Sequence, residues 1–210
     1  MCKDTLIERE AHGDGYAIEY HADPYPQNPR GEFDHVGVMV CWHRRYDLGD
    51  AHTFTDADEF AAYLQEEGRG AVVLPLYLYD HSGISISTRS FVGRAHQAAW
   101  DSGQVGWIFC TRERAIQEWG KTRMTARVRR LAEACLRAEV EEYDQYIRGE
   151  VCGYRLIDPD GGDIDSCWGF YGLEACKEEA ESSLRYYRGK RADHERAVLE
   201  RLAIVGVGSW

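Results

Sequence analysis

An α+β fold, with a mostly antiparallel sheet packed against two longer helices, is predicted by three observations. Short apolar runs with two-residue periodicity recur along the chain, bounded by turn-forming Gly, Asp and Pro. Two of them, Val151 to Ile157 and Ile164 to Tyr171, flank Asp158-Pro159-Asp160-Gly161-Gly162 and read as a hairpin. Two longer segments instead space their apolar residues by three and four, as a helix with one buried face requires. The 210 residues are read as one domain, with an irregular N-terminal segment over about 1–31 and a helical C-terminal segment over about 173–205.

Residues 1–31 carry little periodicity, although Tyr16 to Tyr20 fits a short strand. Met1-Cys2-Lys3-Asp4 leads into charged residues and not into the apolar core of a signal peptide. From Ala22 to Gly31, three prolines predict an irregular loop, since each removes a donor and restricts its predecessor. Asp34 to His43 is a strand with Val36, Val38, Val40 and Trp42 on one face and His35, Gly37, Met39, Cys41 and His43 on the other. A charged loop, Arg44 to Asp50, follows. Thr55 or Asp56 caps a helix that runs through Gln65, turns Phe60, Tyr63 and Leu64 inward and stops at Gly68.

Ala71 to Tyr79 is apolar on both faces, so it is a central strand, and Pro75 predicts an irregularity within it. The turn Asp80-His81-Ser82-Gly83 leads into a strand from Ile84 to Thr88, and Gln104 to Cys110 is another strand. A long helix starts near Thr122 or Thr125 and ends near Gly149, with Val128, Leu131, Cys135, Leu136, Val140, Tyr143 and Ile147 on its apolar side. A second starts at Leu173 and places Cys176, Ala180, Leu184 and Tyr187 on one face. The tail from Ala192 is helical to Leu202.

The formal net charge of −11 disfavours direct nucleic-acid binding, because phosphate repulsion would have to be overcome. It fits either a solubilising surface or a surface that meets a basic nucleic-acid channel. Charge is also uneven. Basic residues dominate from Arg112 to Arg130 and acidic ones from Glu133 to Glu181. The seven cysteines form no Cys-x-x-Cys pair, and with no secretion signal they read as reduced thiols of a cytoplasmic protein, that of an infected or host bacterial cell. The longest apolar run, Ala71 to Tyr79, is far short of the ~20 residues that a membrane helix needs, so no membrane partner is expected.

Three segments put a carboxylate, a hydroxyl and small residues beside an aromatic ring: Tyr79-Asp80-His81-Ser82-Gly83, Trp100-Asp101-Ser102-Gly103-Gln104 and Asp165-Ser166-Cys167-Trp168-Gly169. Turn chemistry accounts for the small polar residues but not for the rings, which a binding surface would use. Trp42-His43-Arg44-Arg45-Tyr46 sets two guanidinium groups between aromatic rings, a hot-spot composition, although either arginine could instead pair with Asp47, Asp50 or Asp80. The candidate ligand- or partner-binding residues are therefore Trp42, His43, Arg44, Arg45, Tyr46, Asp80, His81, Trp100, Asp101, Ser102, Gln104, Asp165, Ser166 and Trp168.

No catalytic residue, metal site or cofactor is assigned. Asp80, His81 and Ser82 are consecutive, and a triad needs side chains converging from separate elements. Cys41 and His43 share a strand face and could place a thiolate beside an imidazole, but His35 lies ~20 Å from Cys41 along the strand and no second pair is near. The run from Asp158 has Asp163 and Gly169 where a helix-loop-helix calcium loop needs Gly and Glu. There is no P-loop, dinucleotide fingerprint or His-Glu-x-x-His.

Val40-Cys41-Trp42-His43-Arg44-Arg45-Tyr46-Asp47-Leu48-Gly49-Asp50, Leu74 to Gly83, Trp100-Asp101-Ser102-Gly103-Gln104-Val105-Gly106-Trp107-Ile108 and Ile164 to Gly172 resemble the segments of a family of phage and mobile-element accessory proteins. The resemblance spans about residues 36–172 and brings no reaction with it. It implies a non-enzymatic inhibitor of a host defence complex, of anti-CRISPR or antirestriction type, whose partner is a host defence protein or nuclease complex. On this expectation the acidic stretch 133–181 mimics nucleic acid and the Trp42–Asp50 loop anchors the contact. The alternative is a protein that binds or sequesters a small nucleotide signal. A weaker alternative is a metal-dependent hydrolase using Asp80, His81 and Asp101.

Overall fold

The computed structural model describes residues 5–66 and 68–206; the charged leader Met1–Asp4 lies outside them. In chain order the elements are β1 (Thr5–Ala11), β2 (Ala17–Ala22), α1 (Pro29–Glu32), β3 (Val38–Cys41), α2 (Ala57–Glu66), β4 (Val72–Asp80) and β5 (Ile84–Ser87). They continue as α3 (Ala98–Asp101), β6 (Ser102–Cys110), α4 (Arg112–Glu118), α5 (Ala126–Ile147), β7 (Val151–Ile157), β8 (Asp163–Tyr171) and α6 (Leu173–Gly206). The class is α+β, and every strand pairing is antiparallel. The strands form two four-stranded sheets, β1-β2-β7-β8 and β3-β6-β4-β5. Each sheet belongs to one of two compact units, one made of the described residues up to Pro26 together with those from Glu150 onward, the other of Gln27–Gly149. No low-complexity stretch marks either crossing point.

In the 27–149 unit, β4 and β6 are central and pair from Val72↔Cys110 to Tyr79↔Ser102. The irregularity expected from Pro75 appears as a register shift between Leu76 and Tyr77. Alternation along the strands builds two apolar layers. Met39, Leu74, Leu76, Leu78 and Ile108 face α5, which presents Val128, Ala132, Leu136, Val140 and Tyr143. Val40 and Phe109 face the opposite way, against Phe60 of α2 with Trp42, Tyr63 and Trp107 around it. Leu136 is fully buried in the first layer. Leu136→Ala is expected to lower unfolding stability by ~2–5 kcal/mol, measured by urea denaturation, since the cavity cannot collapse under a sheet.

Two expectations change here. The strand predicted from Asp34 to His43 is limited to Val38–Cys41, because the amides of Val36 and Gly37 donate to the Glu139 carboxylate and not to a neighbouring strand. The irregular loop predicted over 22–31 contains the one-turn helix α1, started by Pro29 behind the Asn28 cap, whose side chain accepts from the Arg30 amide at 3.0 Å.

In the other unit, α6 covers one face of its sheet. Cys176, Ala180 and Leu184 pack on Tyr16, Ile18, Tyr20, Tyr154 and Leu156, all buried. The hairpin β7–β8 forms as predicted. β1 is an additional strand; its Thr-Leu-Ile-Glu-Arg-Glu-Ala sequence sits at a sheet edge, mostly exposed, where charged residues are tolerated and apolar periodicity is not needed. The segments from Leu173 and Ala192 form one continuous helix, α6.

Among the described cysteines all are free thiols, with Cys41, Cys110, Cys152 and Cys176 buried. No described helix is long and apolar enough to cross a membrane.

Candidate functional site

Strand direction in the 27–149 unit brings two of the three aromatic–acid–hydroxyl segments together. β4 ends where β6 begins, and their antiparallel register pairs Tyr79 with Ser102. One residue further, the β4 turn therefore meets the end of α3. The His81 Nδ1 and Asp101 Oδ2 atoms lie 2.9 Å apart. The His81 ring stacks on Tyr79 at 5.9 Å and meets His96 edge-on at 5.8 Å, and the Tyr79 hydroxyl donates to the His96 carbonyl at 2.9 Å. The backbone is strained on both sides of the pair. Ser82 and Gln97, neither of them glycine, hold φ values of 59° and 51°. Left-handed non-glycine residues cost free energy and gather at functional sites.

β3 flanks β6 on its other side and runs in the same sense as β4, so the loop after β3 reaches the same end of the sheet. Arg45 pairs with Asp80, and the Tyr46 hydroxyl donates to the same carboxylate at 3.2 Å. The Arg45 guanidinium lies 5.4 Å from the Tyr46 ring centre, and the His43 ring stacks on Tyr46 at 5.0 Å. Of the two readings left open for these arginines, Arg45 takes the internal pairing, with Asp80, and both arginines are exposed. Trp42 turns inward instead, 6.0 Å from Trp107, with its indole N–H on the Phe54 carbonyl. Trp100 is 90% exposed at this end. Ser102 and Gln104 bond backbone carbonyls, of Ala98 and Gly106 respectively.

The third segment lies in the other unit, on β8. Asp165 accepts from the Tyr154 hydroxyl at 3.3 Å, from Ser183 of α6 and from the Ser166 amide at 2.9 Å. Trp168 lies over Gly153, where an added Cβ would meet its ring, and its centroid is 6.0 Å from that of His21.

A groove extends from His81 across the 27–149 unit. One cleft of about 510 Å³ is lined by Tyr79, His81, Gly83, Ile84, Ser85, Phe91, Arg94, Ala95, Ile147 and Arg148. A second, also about 510 Å³, shares Ser85, Phe91, Arg94 and Arg148 with it and continues over Ile86, Ser87, Thr88, Arg89, Arg137, Val140, Glu141 and Asp144. Four arginines thus face two acids. Asp144 is already engaged, accepting from Ser85 Oγ at 2.8 Å and from the Ile86 amide at 2.6 Å. Arg137 donates to Thr88 Oγ1 at 2.8 Å, and Arg94 lies 5.8 Å from the Phe91 ring centre.

Arginines and hydroxyls around an apolar floor of Ile86, Phe91 and Val140 suit an anionic ligand that also carries a ring. The sequence reading missed Arg89, Phe91, Arg94, Arg137 and Arg148. The available signal was the polar stripe Arg137, Glu141, Asp144 and Arg148, which follows helical spacing beside the apolar face of α5.

Chemically, Asp101 can hold the His81 proton on Nδ1 and leave Nε2 of this groove-lining residue as an acceptor. No Ser, Thr or Cys hydrogen-bonds Nε2 among the described residues, so the pair lacks the nucleophile of a triad. Burial pushes the Cys41 thiol up to about 12, which keeps it protonated at neutral pH and unsuited to nucleophilic attack. His43 Nδ1 accepts from the Arg45 and Tyr46 amides, each at 3.3 Å.

Comparison with protein-family models, curated proteins and solved structures gives no match for this chain.

Proposed function

We propose that the 27–149 unit binds a small phosphorylated ligand of the nucleotide class and that the protein acts by sequestering it. The observation that carries this reading is the continuous groove in which Arg94, Arg137 and Arg148 stand beside Ser85, Ser87 and Thr88 over a Phe91 floor. Guanidinium forks and hydroxyls recognise phosphate, and Phe91 and Tyr79, stacked on each other at 5.4 Å, give the groove an aromatic wall beside them. The resemblance to phage and mobile-element accessory proteins supplies a role: removal of a nucleotide signal on which a host defence system depends.

Isothermal titration of the full chain against nucleoside mono-, di- and triphosphates, cyclic mono- and dinucleotides and a dinucleotide cofactor tests this. One class should bind with 1:1 stoichiometry. Arg137→Ala or Arg94→Ala should weaken it about tenfold or more, as loss of a charge-assisted contact of ~1.5–3 kcal/mol implies. Absence of binding across the panel, or affinity unchanged in both variants, refutes the groove as the site.

Direct inhibition of a host defence protein is a second reading, favoured by Trp100, an exposed aromatic beside the groove's His81–Asp101 end. Acidic mimicry of nucleic acid has less support. Within 133–181, Glu139, Asp144, Asp158, Asp163 and Asp165 are all engaged in internal hydrogen bonds or ion pairs. Trp100→Ala separates the two, since it should abolish protein docking while leaving ligand affinity in the groove near its original value.

A further inference from the structure

We propose that Glu10, His12 and Glu181 form a binding site for one divalent transition-metal ion of the manganese-to-zinc series. All three residues lie in the unit formed by the two ends of the chain. Residues 8, 10 and 12 alternate to one side of the edge strand β1 and its continuation, and the register pairs Glu10 with Ile18 and Glu8 with Tyr20. Ile18 and Tyr20 are the residues that α6 covers, so the acids of β1 face that helix. From α6 come Lys177 and, one turn on, Glu181. One ligand atom each from Glu10, His12 and Glu181 lies within 4.8 Å of the others, and all three side chains are half-buried. Ligand atoms around a zinc ion are about 3.5 Å apart, given bonds of ~2.0–2.2 Å, so small side-chain rotations close the shell.

Two independent features point to a ligand here. His12 Nε2 is buried and has no hydrogen-bond partner among the described residues. The Tyr20 side chain is fully buried, and its hydroxyl too has no partner among them. A metal-bound water would give it an acceptor.

Charge also fits. Lys177 Nζ is 2.8 Å from both Glu8 and Glu10. Three carboxylates and one ammonium leave a deficit that a dication would neutralise, with Lys177 remaining on Glu8. A mixed imidazole–carboxylate set favours a borderline ion over calcium or magnesium, which prefer oxygen alone. Lys177 and Glu181 also line an open cleft of about 720 Å³ along α6.

The test is Co²⁺ titration into chelator-stripped full-length protein, followed by visible absorption, with Zn²⁺ competition. A saturable 1:1 spectrum lacking thiolate-to-metal charge transfer is expected. Glu181→Gln and His12→Ala should each weaken binding at least about tenfold. Lys177→Met, which removes the competing ammonium, should tighten it. Failure to saturate, a thiolate charge-transfer band, or affinity unchanged in Glu181→Gln overturns the site. Should His12→Ala not fold, the opposite shifts of Glu181→Gln and Lys177→Met decide the matter.

Discussion

Arg30→Ala is expected to lower the unfolding stability of the 27–149 unit by ~3–5 kcal/mol, the cost of breaking a buried ion pair from one side. The Arg30 side chain is 2% exposed. Its Nε donates to Asp50 Oδ1 at 2.8 Å, its Nη1 to Glu139 Oε2 at 3.0 Å and its Nη2 to the Gly37 carbonyl at 2.7 Å. Without it, Glu139 would remain buried at a position where it also accepts from the Val36 and Gly37 amides. The same cluster holds the end of β3, since Asp50 accepts from the Met39 amide at 2.7 Å. Arg30→Lys should not rescue, because one ammonium cannot span Asp50, Glu139 and a carbonyl in the geometry of a planar fork.

Burial opposes the Arg30 charge, but the Asp50 and Glu139 carboxylates outweigh it and raise its pKa. A raised pKa on a cation stabilises fully below the unfolded value, so this contribution is present at neutral pH and fades only as pH climbs beyond the guanidinium range. Urea denaturation at pH 7 and at pH 9 should give the same difference between wild type and Arg30→Ala. A difference under ~1 kcal/mol would show that the cluster does not hold the fold.

Gly106→Ala should be nearly as damaging, by about 3 kcal/mol or more, because the clash is with backbone. Gly106 pairs with Cys41 across β6 and β3. A Cβ there would run into the Val40 carbonyl oxygen and come within 2.9 Å of Cys41 Cα, and no rotamer change can relieve either contact. Gly103 is the internal control. It lies in the same strand, has no heavy atom within 4 Å of an added Cβ, and does not adopt a left-handed backbone. Gly103→Ala is expected to stay within ~0.5 kcal/mol of wild type. Equal denaturation midpoints for the two variants would contradict the close approach of β3 to β6. The contrast also divides the Trp100–Ile108 segment by role: Asp101 serves the candidate site, whereas Gly106 serves sheet packing.

The elements legible from sequence were those whose signal is local. α5 declares itself through Thr125, whose hydroxyl accepts from the Val128 amide at 3.2 Å, and through apolar residues at helical spacing. The β7–β8 hairpin follows from Asp158, which accepts from the Asp160 and Gly162 amides to close its turn. The candidate site was only half legible. Asp80, His81 and Asp101 stood out as acid and imidazole beside aromatic rings, but the arginines of the groove did not. Arg94 sits in a stretch without periodicity, and Arg137 and Arg148 read as the solvated side of an amphipathic helix until β5 is laid against them.

The sequence by itself determined the α+β class, the antiparallel pairing of strands joined by short turns and the apolar faces of α5 and α6, because periodicity and turn chemistry act over a few residues, except that Leu131, expected on the apolar side of α5, is exposed. Tertiary structure alone decided that the strands divide into two sheets, that Asp165 and Trp168 lie in a different unit from Asp101, and that Glu139 serves as a buried partner of Arg30 although it falls within an acidic stretch. Each of these depends on which distant segment supplies the partner. Glu139 and Arg30 are separated by 109 residues, and nothing in the local physics of either one identifies the other.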